Sequence, residues 1–303
     1  MLYNTFIYLF VLFLFGCSNN DSVTKAPILI DNNTVIEDKI LWFGDPDKDV
    51  RDVFRRLDPD GNSNPTGDRC VDDPEKPPLV TTPTDIQYGK YWSIKKPTSR
   101  KRAEFARMNG FIPENGKEYF IAWRWRIQYS PNLDKGITVF QWKTDQGIDI
   151  DSNKQHYPFN IGYDGNELTI NAYGPAEPNF NRPGSINKRK TIIWKKNVPQ
   201  NTWVSLVFKV KVDRDFDTAN NHPKGYIEFW FNDEKQTLSN SNFQDYQVSL
   251  SDDGKRAYHR TNDGKEVYPK WGSYNENACD FEIITDFDEM RVATNYELVK
   301  LKL

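Results

Sequence analysis

The chain is short of the residues that carry many familiar chemistries. Its 303 residues include three Cys and three His. Three Cys do not make a disulfide scaffold. His156, His222 and His259 lack the spacing by which a helix presents two ligands to catalytic zinc, which argues against a zinc hydrolase. No Gly-x-Ser-x-Gly elbow, P-loop or dinucleotide fingerprint occurs, so nothing points to a serine hydrolase of that type or to a nucleotide enzyme. An excess of one charge is missing too. Lys and Arg number 40 against 43 Asp and Glu, a net charge of -3, which argues against a general nucleic-acid binder but leaves room for a locally basic cleft. Helical periodicity is scarce, with one modest candidate at 49–57, and no internal repeat or linker divides the chain.

The one long apolar run is at the start. Residues 2–15, LYNTFIYLFVLFLF, are too short for a comfortable membrane span of about 20 residues and fit the apolar region of an export signal. The stretch Leu14-Phe15-Gly16-Cys17 resembles a bacterial lipobox. That resemblance implies a lipoprotein signal peptide over 1–17, lipidation at Cys17, a polar tether over 18–38 and, with Ser18 next, an outer-membrane lipoprotein that touches the membrane only through its lipid. An ordinary cleaved signal and an N-terminal anchor are the alternatives. Cys70 and Cys279 remain. Export permits a disulfide between them, and two buried thiols fit the sequence equally.

Aromatic residues are abundant, with 9 Trp, 15 Tyr and 19 Phe. They lie in short runs with β-branched residues, separated by Gly, Pro, Asn and Asp. Strands are expected at 119–129, 137–143, 159–163, 167–173, 203–212, 226–232 and 281–293. Alternation gives several of them one apolar face: Ile121, Trp123, Trp125 and Ile127 in one, Val204, Leu206, Phe208 and Val210 in another. In 137–143, strict alternation places Ile137, Val139, Gln141 and Lys143 together and Thr138, Phe140 and Trp142 opposite. The expectation is an all-β chain, a β-jelly roll made as a two-sheet antiparallel sandwich over 39–303. Arg124 and Arg126 share the face opposite the Trp residues, as either a solvated exterior or the floor of a basic cleft.

Some acidic constellations suggest other chemistry. Asp58-Pro59-Asp60-Gly61-Asn62 has the oxygen-rich opening of a calcium loop without a convincing distal Glu, and Asp58, Asp60 and Asn62 are its weak candidate ligands. Turn chemistry explains the same residues. Glu104 and Glu228 are the strand carboxylates that a glycosidase reading would pair.

Three stretches stand out in order: Arg102-Ala103-Glu104-Phe105-Ala106-Arg107, then Gln141-Trp142-Lys143, then Tyr268-Pro269-Lys270-Trp271-Gly272-Ser273-Tyr274. Together they resemble the three signatures of the jelly-roll polysaccharide lyases, a group that includes alginate lyases, glucuronan lyases, heparin lyase I and the short ulvan lyases of polysaccharide lyase family 28. The first stretch has one extra residue before its second arginine. The second has Lys143 where alginate and heparin lyases have His, which is similar to the short ulvan lyases. The third is a close match.

The resemblance implies β-elimination on a uronate-containing anionic polysaccharide. Ulvan is the first expectation; alginate, glucuronan and heparin-like glycans follow. It gives Tyr274 the base and acid roles and Lys143 the neutralisation of the uronate carboxylate. Gln141, Arg102 and Lys270 would assist, with Arg124, Arg126 and His259 as further substrate contacts. His259 and His156 are the spare bases. A cation beside a tyrosine favours the phenolate that a base requires. No cofactor is required by this chemistry, calcium remains open, and a monomer acting without nucleic acid is expected. A non-catalytic glycan-binding surface lipoprotein is the reading from another class.

Overall fold

A computed structural model describes residues 38–58, 76–129, 136–145, 157–174, 189–244, 246–275 and 279–301. The expected signal and tether, and with them Cys17, Asp60, Asn62, Cys70 and His156, lie outside these residues. Aromatic and β-branched runs of four to twelve residues favour the pleated, half-buried surface of a strand, and among the described residues the only α-helix is Val50–Val53. The helix expected at 49–57 is therefore mostly absent: Asp49 caps one turn, and the chain continues as the strand Phe54–Asp58. Tertiary packing overrides local preference there, because Phe54 stacks on Phe105 at 4.5 Å in the core.

Two antiparallel sheets form the jelly roll. One has eight strands, in the order Ser241–Gln244, Lys190–Asn197, Glu167–Tyr173, Phe159–Asp164, Ile137–Thr144, Val267–Tyr274, Arg102–Met108 and Phe54–Asp58. The other has ten. Its main path is Ser249–Leu250, Ala257–Tyr258, Tyr226–Phe231, Val204–Lys211, Glu118–Tyr129, Ile283–Ala293, Trp92–Lys96 and Leu79–Thr81. Ile40–Phe43 joins Ile283–Ala293, and Glu234–Lys235 joins Tyr226–Phe231. From residue 37 onward the chain is one compact unit.

The core lies between the two sheets and is largely aromatic. Trp123 of the ten-stranded sheet stacks on Phe140 of the eight-stranded sheet at 4.6 Å, and Phe140 on Phe208 at 5.9 Å. Trp42, Phe54, Trp123 and Phe140 all meet Trp271. The alternation expected in 119–129 and 203–212 holds. In Ile137–Thr144 it does not. Ile137, Val139, Phe140 and Trp142 all join the core, because the pairing to Phe159–Asp164 and to Val267–Tyr274 shifts register beside Phe140. A bulge of this kind changes which way the following side chains point. Gln141 and Lys143 stay on the outer face with Thr138.

The strands at Trp92–Lys96 and Lys190–Asn197 carry too many lysines to be read as strands from pattern alone. Lys96 shows why the pattern misleads: its Nζ is buried and bonds the carbonyls of Arg100 at 2.9 Å and Phe281 at 2.6 Å.

Candidate active site

The eight-stranded sheet sets Val267–Tyr274 between Arg102–Met108 and Ile137–Thr144. The three motif stretches, spread over more than 170 residues of sequence, are therefore adjacent strands. Their outward side chains share one face. Trp271, Phe105 and Phe140 point into the core, so Lys270 and Tyr274, Arg102 and Glu104, and Gln141 point out of it.

Gly272 makes the close approach of these strands possible. Its φ is +150°, and a Cβ there would lie 2.0 Å from the Ala103 carbonyl oxygen. The glycine thus lets the neighbouring backbone in. Pairing to Ile137–Thr144 shifts register between Trp271 and Tyr274, just past this point. A similar device accounts for the extra residue in the first stretch. Parity would send Arg107 inward and Met108 outward, but Arg107 has φ 63°, and Met108 enters the core. The Arg107 guanidinium lies 4.2 Å from the Tyr268 ring centre and pairs with Asp145 and Glu266.

Beneath the face runs a buried ionic chain. Lys270 Nζ is 2.6 Å from both Asp58 Oδ2 and Glu104 Oε2, and all three side chains are buried. Glu104 Oε1 accepts a 2.6 Å hydrogen bond from Gln141 Nε2. Burial pushes the Asp58 carboxyl up, and Lys270, with Arg56 and Arg102, more than reverses this and holds it below its ordinary range. Asp58 is therefore engaged by the cations Lys270 and Arg56. No cluster of three or more His, Cys, Asp or Glu able to hold a metal occurs among the described residues.

Tyr274 is half-buried beside Arg102, its direct cross-strand partner, whose guanidinium carbon is 4.8 Å from the tyrosine ring centre. Lys143 sits farther along the same face. It lies opposite Tyr268, and Gln141 lies opposite Lys270, whereas Tyr274 lies opposite Thr138. At about 3.3 Å per residue, the six positions from Tyr268 to Tyr274 span roughly 20 Å of strand. Long side chains close part of that span. Burial first, then Lys270 and Arg102, lower the Lys143 pKa to about 8, and Glu104 and Asp58 oppose them. Lys270, Arg102, Glu104 and Asp58 are thus all within electrostatic reach of the ammonium group.

A polar row that the motif reading missed continues across the sheet. Asn160 lies opposite Gln141, and Asn171 lies opposite Asn160. Asn171 Nδ2 donates to Asn160 Oδ1 at 3.0 Å, and Asn160 Nδ2 donates to the Tyr173 hydroxyl at 3.1 Å. Tyr157 packs on Tyr173 at 5.0 Å, with Lys143 Nζ 5.3 Å from its own ring centre. The alternation of Phe159, Ile161 and Tyr163 was the available signal, since it places Asn160 on the face opposite the core. Among the tyrosines of this face, burial pushes Tyr173 up to about 12 and raises Tyr268 despite Lys270 and Arg107.

Other expected site residues are elsewhere. Arg124 and Arg126 belong to the ten-stranded sheet, across the core from Tyr274. They pair across strands with Asp288 and Asp286, so of the two alternatives open from sequence the exterior applies, with its charges paired, and not the floor of the cleft that holds Tyr274. His259 is fully enclosed. Its Nδ1 is 2.6 Å from the Tyr246 hydroxyl and its Nε2 is 2.7 Å from the Pro158 carbonyl oxygen. Burial lowers its pKa to about 4, so it is a neutral structural bridge with both nitrogens occupied. Glu228 is also on the ten-stranded sheet, held by Lys235 and Arg256, so it does not face Glu104 as a glycosidase pair would. Cys279 is disulfide-bonded, and its partner lies outside the described residues.

A face built of cations, amides and tyrosines on a jelly-roll sheet is suited to an acidic carbohydrate. The polysaccharide lyase family model matches residues 71–291, and the chain belongs to that family: it is a polysaccharide lyase acting on a polysaccharide substrate. Among solved structures, an endo-β-1,4-glucuronan lyase from the fungus Trichoderma reesei is similar over 77% of this chain and 94% of its own, with 15% identity and a TM-score of 0.49. Alginate lyase vAL-1 from Chlorella virus matches 72% of this chain and 90% of its own, at 10% identity and a TM-score of 0.46. The alginate lyase from Corynebacterium sp. matches 73% and 86%, at 10% identity and a TM-score of 0.41. No curated protein matches the chain.

Proposed function

We propose that this lyase cleaves a uronate-containing anionic polysaccharide by β-elimination on the outer face of the eight-stranded sheet, with ulvan as the first substrate. The observation that carries the reading is the meeting of Arg102, Gln141, Lys143 and Tyr274 on one face of adjacent strands. Tyr274 as phenolate takes the C5 proton of the uronate. The C5–H electron pair becomes the C4–C5 double bond, the C4–O4 bond breaks, and the tyrosine hydroxyl returns its proton to the departing oxygen. Arg102, against the ring, supplies the positive charge a phenolate needs. Lys143 and Gln141 hold the uronate carboxylate, so that charge moving onto it in the transition state meets a cation and an amide. Lys270 supports the site from below through Glu104, which fixes the Gln141 amide. A sulfated polymer such as ulvan suits the abundance of cations, and alginate, glucuronan and heparin-like glycans carry the same reactive uronate.

The test follows the ultraviolet band of the conjugated uronate product on ulvan, alginate, glucuronan and heparin, with Tyr274→Phe beside the wild type. One polymer should give a rise, and the variant should lose it by about 10³-fold while keeping its circular dichroism. A rise that survives Tyr274→Phe would remove the tyrosine from its role, and no rise on any uronate polymer would sink the elimination reading.

Export as an outer-membrane lipoprotein belongs to the same proposal and rests on the Leu14–Cys17 stretch. Expressed in a bacterium, the wild type should partition with membranes and Cys17→Ala should not. Equal partitioning of the two would exclude the lipid anchor.

A further inference from the structure

We infer that a cavity away from the motif strands, walled by Arg214, Phe216, Tyr246, Tyr258 and Arg260, is a second, non-catalytic site that binds an acidic sugar unit of the same polymer. The inference deepens the polysaccharide reading above and rests on it for the identity of the ligand. The cavity measures about 300 Å³, at the lower end of the range of small-molecule sites.

Its lining combines two kinds of surface that sugar acids need. Phe216 is 52% exposed, and with Pro223 and the two tyrosines it offers apolar faces for a ring. Arg214 is exposed and forms no ion pair with another described residue. Arg260 uses its Nε for Asp263, and that bond orients the guanidinium. Asp215 also lines the cavity and offsets part of this charge. Arginine pairs with a carboxylate or sulfate through parallel hydrogen bonds.

The walls are fixed before any ligand arrives. The hairpin joining Phe216–Asp217 to His222–Pro223 is tied by Asp217, which accepts from the backbone of Ala219 and Asn220. Tyr258 stacks on His222 at 3.7 Å. Tyr246 is locked to His259. Preformed walls reduce the ordering cost of binding.

The cavity also adjoins the end of the catalytic face. Tyr246 packs so closely on Gly174 that a Cβ there would lie 2.6 Å from the ring, and Gly174 follows the strand bearing Asn171 and Tyr173. His259 ties the same Tyr246 to Pro158, next to Tyr157. A polymer running from Tyr274 past Lys143 leaves the face at Tyr157 and Tyr173, beside this cavity. The role is to hold a distant unit of a long chain, so it acts on polymers and not on short fragments.

Steady-state kinetics on intact polymer and on a tetrasaccharide of the same substrate would test this with Arg214→Ala, Phe216→Ala and Arg214→Lys. Both alanine variants should raise KM for the polymer roughly 3–10-fold with kcat unchanged, leave tetrasaccharide kinetics as they were, and Arg214→Lys should recover part of the loss. An unchanged polymer KM in both alanine variants overturns the site, as does an equal change on the tetrasaccharide. If the wild type cleaves no uronate polymer, the lyase mechanism has failed and the cavity is judged by affinity electrophoresis in gels of ulvan, alginate or neutral dextran. Retardation in an acidic gel that Arg214→Ala abolishes supports the site. Retardation that persists in Arg214→Ala, or its absence in the wild type, overturns it.

Discussion

The two sheets share one aromatic core but treat charge on their outer faces in opposite ways. On the ten-stranded sheet the charges are arranged as pairs. Arg124 meets Asp288, Arg126 meets Asp286 at 2.8 Å, Lys209 meets Glu118 at 2.8 Å, and Glu228 is shared by Lys235 and Arg256. On the eight-stranded sheet Arg102, Lys143 and Lys270 share the neighbourhood of Glu104 and Asp58, and the buried Lys270 takes both carboxylates. A face whose charges are matched is a finished exterior. A face with surplus cations, one of them lowered to a pKa of about 8 by burial and by its like-charged neighbours, is at higher energy until an anion arrives. That difference supports the proposal that the substrate binds on the eight-stranded sheet, because perturbed cations of this kind cluster at functional sites.

The contrast breaks most sharply when one arginine and one lysine are exchanged for alanine. Lys143→Ala should cost at least about 100-fold in kcat/KM with thermal stability unchanged or higher. Arg124→Ala should do the reverse. It leaves Asp288, itself raised by burial, without its partner, at a cost of about 3 kcal/mol, and kcat/KM should hold. Thermal melts and progress curves on the same preparations decide, and a loss of activity with no loss of stability in Arg124→Ala would erase the distinction between the sheets. The split within Lys143→Ala also carries information. A fall in kcat is expected from a lysine on the reacting sugar, and a rise in KM alone would move it to a neighbouring one and overturn its role in neutralising the reacting carboxylate.

Lys270→Met tests the support beneath the face. It leaves Asp58 and Glu104 buried together without a cation, a loss of about 3–5 kcal/mol, and it frees the Gln141 amide from a fixed partner. Urea unfolding should show the midpoint falling well below that of wild type. A midpoint at the wild-type value would mean that the buried ionic chain does not support the face.

A smaller effect is expected from pH. Lys143 has its pKa lowered from 10.5 to about 8, so it loses its charge as pH rises through about 8. Its contribution to binding an anionic chain is fully present below that point and lost above it. KM for the polymer should climb on the alkaline side near pH 8, and Lys143→Arg, which stays charged, should flatten the climb. For stability the sign is opposite. Between about 8 and 10.5 the unfolded chain holds a proton that the folded chain has released, so the penalty of the buried cation is relieved as pH rises through this window. A polymer KM that climbs identically in Lys143→Arg would assign the alkaline limb to another group.

Much of the architecture was legible because it depends on local alternation. The core faces around Trp123 and Phe208 follow from a period of two, and so does the position of Lys270, Gly272 and Tyr274 on one side of their strand. Where alternation was interrupted, reading it failed. The bulge beside Phe140 put Val139 and Phe140 both inward, and the positive φ of Arg107 reversed the parity of its strand. Phe54–Asp58 looked helical because its stabilising partner, Phe105, is about fifty residues away. The two arginines and His259 fit a basic cleft by residue type, but their partners Asp286, Asp288, Tyr246 and Pro158 are remote in sequence, so nothing nearby reveals that they are already engaged.

The sequence by itself determined an all-β chain, the residues that turn inward on most strands, and three stretches whose order matches a lyase family. These are consequences of side-chain size, charge and a two-residue period. Only the tertiary structure decided that the three stretches lie on adjacent strands, that Lys270 is spent on Asp58 and Glu104, and that Arg102 rather than Lys143 stands next to Tyr274. Those facts arise from strand pairings between distant segments, and the register of such pairings is set by how the whole core packs.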